Sequence, residues 1–122
     1  MEEELDCWKK ITALRRTLAE IVKVFPVHEK YRLTDQITQA ARSYTSNIAE
    51  GYGRFHYQEN IQYCRQSRGS LYELIDHLIV AKDEGYISQE ELAGLNHEIT
   101  SCLTVLNGYI NYLRQAKTKN GA

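Results

Sequence analysis

Leucine or isoleucine returns every seven residues at Leu92, Ile99, Leu106 and Leu113, with Leu95, Cys102 and Tyr109 interleaved at three- and four-residue steps. A strict heptad of this kind is a seam on one long helix, and the seam can be covered only by other helices packed alongside it. The start of the segment is marked by Ser88-Gln89-Glu90-Glu91, a capping box in which the Ser88 hydroxyl and the Glu91 carboxylate satisfy each other's orphan amides. The last third of the chain therefore reads as helix over about 88–116, with a polar tail after Arg114 that is expected to fray.

The preceding residues supply three partners for that helix. Leu5, Trp8, Ile11, Leu14, Leu18, Ile21 and Phe25 share one face of a helix over about 3–24, with Glu2, Glu3 and Glu4 at its positive end. Pro26, the single proline, ends it by disfavouring helical geometry at Phe25. A second helix over about 34–51 has Thr34 as its expected N-cap and Leu33, Ile37, Ala40, Ala41, Tyr44, Ile48 and Tyr52 as its stripe. A third over about 57–83 buries Tyr57, Ile61, Cys64, Leu71, Leu74, Ile75, Leu78 and Ala81 and ends at Gly85, the expected C′ residue. Gly51 and Gly53 are expected to turn the corner between the second and third helices through positive φ, and Gly69 to mark a close helix crossing. No stretch reads as a strand. The fold expected is all-α, an antiparallel up-down-up-down four-helix bundle forming a single domain over 1–122, roughly 30–40 Å long.

Bulk properties narrow the function classes. Fifteen basic and sixteen acidic residues leave a net charge of −1, which does not favour non-specific phosphate binding. Three scattered cysteines, Cys7, Cys64 and Cys102, form no Cys-x-x-Cys pair and read as reduced thiols of a cytoplasmic protein. The acidic start does not resemble a signal peptide, and no apolar run is long enough to span a membrane. None of the four histidines has a glutamate three residues before it, as a di-iron bundle would require. Phosphate-loop, dinucleotide and Gly-x-Ser-x-Gly patterns are absent, so no metal, cofactor, small-molecule substrate or catalytic residue is expected. Cys64 falls on a packed stripe, where a small hydrophobe is the simpler role. Nine tyrosines are many for this length. Tyr44 and Tyr52 are expected in the core, while Tyr63, Tyr72 and Tyr112 fall off the inner stripes and are expected at subunit contacts.

Particular residues carry a resemblance to a known family. Leu5-x-Cys7-Trp8, Phe25-Pro26, Leu33-Thr34-x-Gln36-Ile37 and Ser46-Asn47-Ile48-Ala49-Glu50-Gly51-Tyr52-Gly53-Arg54 come in order, followed by Glu59, Gly69-Ser70-Leu71, Glu73-Leu74 and Gly85-Tyr86. Over about residues 5–87 this resembles the bacterial proteins encoded by intervening sequences in 23S rRNA genes. Related proteins act as the accessory variability determinant of diversity-generating retroelements. The resemblance implies a four-helix bundle assembling as a homopentamer, with RNA or a nucleic-acid-processing protein as partner. Thr38 and Gln39 stand where the family often has two arginines, and Gln66 where an apolar residue is usual.

Two residue sets follow. Lys9, Lys10, Arg15, Arg16, Arg54, Arg65 and Arg68 are the candidate nucleic-acid contacts, and a ring can gather all of them but Arg54 into a local basic annulus. Asn47, Glu50, Gly51, Gly53, Glu59, Gly69, Ser70 and Glu73 form a candidate structural motif, with an interior arginine partner expected for Glu50 because a glutamate at a helix C-terminus opposes the dipole. The competing reading is a self-assembling scaffold that binds a protein partner and no nucleic acid.

Overall fold

The capping box forms as the local residues dictate. Glu91 N–H donates to Ser88 Oγ at 3.0 Å and Ser88 N–H to Glu91 Oε1 at 2.9 Å. From it α4 runs Gln89–Asn120, packed against α1 (Glu2–Ile21) and α3 (Tyr57–Asp83), while α2 (Leu33–Tyr52) packs against the same two helices on the other side. The backbones of the diagonal pairs α1–α3 and α2–α4 stay more than 8 Å apart between Cα atoms, and the α2–α3 contact is the most extensive. The result is an all-α, antiparallel four-helix bundle. The computed structural model describes residues 2–54 and 56–120. The expected roles of the Glu2, Glu3, Glu4 and Leu5 side chains lie outside the described residues. Among the described residues there is no strand, and no helix is long and apolar enough to cross a membrane.

The core is filled by one stripe from each helix, including Cys7, Ile11, Leu14 and Leu18 on α1 and Leu95, Ile99, Cys102 and Leu106 on α4. On α1 the stripe passes through Cys7, so Trp8, about 100° further round, stands 42% exposed at the edge of the core rather than within it. Tyr52 is likewise corrected from core to surface. Gly51 takes the inward position at the end of the α2 stripe, leaving Tyr52 one step round and 60% exposed. The α4 tail does not fray at Arg114. It stays helical to Asn120, held by Lys117 Nζ to Gln58 Oε1 at 2.6 Å, with Lys117 and Lys119 complementing the negative end of the dipole.

Glycine roles differ from those expected. Gly53 has φ −74°, and none of the described residues of the α2–α3 corner has a positive φ. Only Gly85, at φ +82°, adopts a left-handed conformation among the described residues. It ends α3 in a Schellman motif, with Gly85 N–H donating to Lys82 O at 3.0 Å and Tyr86 N–H to Ala81 O at 2.9 Å. The close helix crossing lies at Gly51, not Gly69. A Cβ on Gly51 would meet Asn60 Oδ1 at 2.6 Å and Tyr63 Cβ at 2.9 Å, whereas Gly69 has nothing within 4 Å. Gly69→Ala is therefore expected to gain helix propensity unopposed, raising stability by about 0.5–1 kcal/mol in urea denaturation. A loss of stability would show that Gly69 meets something.

The link from α1 to α2 is pinned from inside. Single 3₁₀ turns, Val22–Val24 and Val27–Glu29, flank Phe25 and Pro26, and Phe25 is buried with its ring 5.2 Å from that of Tyr86. Thr34 does not cap α2. The helix begins at Leu33, whose N–H donates to Glu29 Oε1 at 3.4 Å, and Tyr86 O–H donates to Glu29 Oε2 at 2.6 Å. The hydrogen bond from Tyr86 is the main cause holding the Glu29 carboxyl below its usual value of 4.5, and the same bond pushes Tyr86 up to about 12. The signs fix two pH windows. Because Glu29 is lowered, its contribution is present above pH 4.5 and lost as pH falls through the folded value. Because Tyr86 is raised, its contribution is present below pH 10 and lost as pH rises towards 12. In thermal melts the gap between wild type and Tyr86→Phe should be constant at neutral pH and narrow in both windows. A gap unchanged from pH 3 to pH 12 would mean that the bond contributes nothing.

Candidate nucleic-acid interface

The α2–α3 corner has an inner and an outer layer. Inside, Asn60 Nδ2 donates to Tyr109 O–H at 3.0 Å and Cys64 Sγ lies 3.5 Å from Asn60 Oδ1, so the backbone of α2 can approach α3 only where Gly51 offers no side chain. Outside, Arg54 Nη2 donates to Glu50 Oε1 at 3.0 Å and to Tyr63 O–H at 2.8 Å, with the guanidinium 5.0 Å from the Tyr63 ring centroid. The Tyr63 phenol, followed by Glu50, pushes the Arg54 pKa further up. Glu50 thus has an arginine partner, but at the surface: its side chain is 57% exposed, so loss of its charge removes no more than a surface ion pair, under about 1 kcal/mol.

Among the candidate motif residues, Asn47 and Ser70 meet through a third side chain. Asn47 Nδ2 donates to Ser43 Oγ at 3.2 Å and Ser70 Oγ to the same oxygen at 3.0 Å. Glu59, Gly53 and Gly69 are exposed and apart from this chain. Glu73 lies 3.8 Å from His77 Nε2, and both line an open cleft of about 340 Å³ between α2 and α3, together with Asp35, Gln36, Gln39, Ala40 and Ser43. Two carboxylates there repel phosphate. Asn60 and Ser67, central to this contact, were not singled out by sequence reasoning. Ser67 Oγ donates to Tyr44 O at 2.7 Å. Small polar residues at inward helical positions were their only signal.

The thiols are chemically quiet. Burial is the main cause pushing Cys7 and Cys64 up to about 12 and Cys102 up to about 11, so at neutral pH all three are held as thiols rather than nucleophilic thiolates. Among the described residues no group of three His, Cys, Asp or Glu side chains is placed to hold a metal ion.

The seven candidate contacts divide between distant surfaces. Arg54 is engaged at the corner. Arg68 Nη1 donates to Asn107 Oδ1 at 2.9 Å across α3–α4, and Arg65 is exposed on α3. Lys9, Lys10, Arg15 and Arg16 are all on α1, the helix diagonal to α3. Arg15 Nη1 reaches Thr45 Oγ1 at 3.2 Å, on the α2 side, while Lys10 acts electrostatically on Cys102, on the α4 side. Lys9 and Arg16, seven residues or about 10 Å apart, stand exposed on the outer face between them. Lys23 continues that line beyond the helix end, paired with Glu20 at 2.8 Å.

This arrangement exposes a charge partition hidden by the overall balance. Residues 6–32 contain seven of the fifteen basic residues, Lys9, Lys10, Arg15, Arg16, Lys23, Lys30 and Arg32, but only three of the sixteen acidic ones, Asp6, Glu20 and Glu29. Glu29 is turned inward to Tyr86 and Leu33. Glu2, Glu3 and Glu4 precede this stretch in the first turn of α1, so it is the rest of α1, with the connector after it, that forms a basic surface on a chain that is otherwise acidic. Lys23, Lys30 and Arg32 were missing from the expected set, and a charge count in a sliding window would have found them.

The model of a family described as 23S rRNA-intervening sequence protein matches residues 3–108. Among solved structures, one from Bacteroides thetaiotaomicron, described as a protein with unknown function from the S23 ribosomal protein family, has a TM-score of 0.82. It is 17% identical, over 89% of this chain and 98% of that one. No curated protein matches.

Proposed function

This chain belongs to the 23S rRNA-intervening sequence protein family, and on that premise we propose that it is a non-enzymatic, homo-oligomeric, RNA-associated protein of the cytoplasm whose phosphate-facing surface is α1 with the connector behind it. The observation that carries this reading is the charge partition of residues 6–32. A net charge of −1 opposes indiscriminate binding, but phosphates respond to local potential, and one helix with Lys9, Lys10 and Arg16 exposed provides it. The pentamer implied by the family resemblance would repeat this face five times and raise affinity through multivalency. Tyr72 and Tyr112, both exposed and off the core stripes, are the proposed subunit contacts, while Tyr63 is already engaged by Arg54. Neutral buried thiols are consistent with a non-catalytic role.

The reading is tested by anisotropy of a labelled structured RNA at about 50 and 200 mM salt, with the solution mass measured in parallel. Several phosphate contacts should reduce affinity on the order of 10³-fold between those salts, and the mass should exceed that of one chain. Absence of binding at the lower salt, with the oligomer intact, would favour the scaffold that binds a protein partner.

A further inference from the structure

Tyr31 presents its ring to solvent in the middle of the connector, 83% exposed even though the Lys30 ammonium lies 5.4 Å from its centroid. Val27, one 3₁₀ turn earlier, is 88% exposed and Val24 is 76% exposed. Such a cluster of bare apolar side chains on so short a segment is unusual unless something covers it. The charges around it point to what that is. Lys23, Lys30, Arg32 and His28 are on the same segment, and its only carboxylate, Glu29, is bound to Tyr86 and Leu33. The segment is also held in place from within, by buried Phe25 against the Tyr86 ring and by Tyr86 O–H within 3.3 Å of His28 Nε2. An exposed aromatic ring on a fixed frame, bordered by cations and continuous with the Lys9–Arg16–Lys23 line of α1, has the parts of a single-strand binding platform: a face for a base and charges for the flanking phosphates.

We propose that the connector at residues 22–32 holds an unpaired nucleotide of RNA, its base stacked on Tyr31 and its neighbouring phosphates met by Lys30 and Arg32, so that the protein favours single-stranded or junction RNA over continuous duplex. This rests on the RNA-associated reading above and adds to it where on the bundle, and by what chemistry, an unpaired segment is selected. Duplex phosphates still meet α1, but a base paired within a helix offers no free face to the ring.

The experiment compares a labelled single-stranded oligouridine with a blunt-ended RNA duplex of equal phosphate number, using the full chain and the Tyr31→Ala variant. Tyr31 is exposed enough that its removal leaves the fold intact, and an unchanged melting temperature verifies this. Tyr31→Ala is expected to weaken single-strand binding about tenfold, leave duplex binding within twofold and leave the salt slope unchanged. A Lys30→Ala, Arg32→Ala double variant should weaken both probes and lower the slope by about two. Single-strand affinity unchanged in Tyr31→Ala, while wild type binds RNA with a clear salt dependence, would overturn the platform and leave the α1 reading standing. Wild type binding neither probe would overturn both. Binding to phosphatidylserine vesicles without binding to either RNA would assign the exposed valines to a lipid surface and refute the nucleotide.

Discussion

Gly51→Ala should lower the thermal midpoint by roughly 5–10 °C, although it replaces a glycine inside a helix by the best helix former. The propensity gain is about 1 kcal/mol. Against it, the new methyl would stand 2.6 Å from Asn60 Oδ1, 2.9 Å from Tyr63 Cβ and 3.1 Å from Asn60 O. Tyr63 Cβ and the Asn60 backbone belong to α3 itself and move only if the helix does. The Asn60 side chain is no freer, because it is buried and bonded to Tyr109 and Cys64. Overpacking of this kind costs about 1–3 kcal/mol, and displacing Asn60 leaves buried polar atoms unpaired for about 1–3 kcal/mol more. The net loss is about 2 kcal/mol, worth several degrees in a chain of this size. The same substitution at Gly69 has the opposite expected sign. If Gly51→Ala raised the midpoint as Gly69→Ala should, the helix crossing would not be where the geometry puts it.

Tyr44→Ala should be the most damaging single truncation in the core. The Tyr44 side chain is fully buried, its O–H donates to Ile11 O at 2.7 Å on α1, and its own carbonyl accepts from Ser67 on α3. Burial also pushes its phenol far above the usual range, so it remains a donor at every accessible pH. Removing a buried aromatic ring costs about 3–5 kcal/mol, a large share of the 5–15 kcal/mol that holds a domain folded. Tyr44→Phe keeps the ring and loses one hydrogen bond, for about 1 kcal/mol. Urea denaturation of both variants separates packing from bonding. A Tyr44→Ala loss below about 1.5 kcal/mol would mean that the three-helix junction is held elsewhere.

What could be read from the residues divides by the range of the interaction. The Ser88–Glu91 box and the Gly85 ending are local, settled within a few residues, and both form as expected. The heptad seam of α4 is periodic over a long stretch, and Leu92, Ile99, Leu106 and Leu113 are all buried. Stripe edges are less determined. Trp8 and Tyr52 each lie one residue, about 100°, from the true inward position, and an apolar side chain at that angle is ambiguous until the neighbouring helix is placed. Which of several helical glycines meets another backbone depends wholly on that placement, so the close crossing fell at Gly51 and not at Gly69. Thr34 lost its expected capping position to Glu29, a carboxylate that reaches Leu33 only because Phe25 and Tyr86 draw the connector against the bundle. The candidate basic set was assembled by residue type and split when α1 and α3 turned out to be diagonal. Lys9 and Arg16 stayed together because they share the outer face of one helix, with Lys10 beside them on the α4 side.

The decisive measurement is RNA affinity at about 50 mM salt for two charge-reversed proteins. One carries Lys9→Glu, Arg16→Glu and Lys23→Glu on the α1 line, the other Arg65→Glu and Arg68→Glu on α3, and both are checked for unchanged helicity. If α1 and its connector face the phosphates, the first loses affinity by at least 10²-fold while the second stays within a few-fold of wild type, and the salt slope falls only in the first. Equal losses in both, or a loss confined to the α3 variant, would contradict the assignment of the interface to α1.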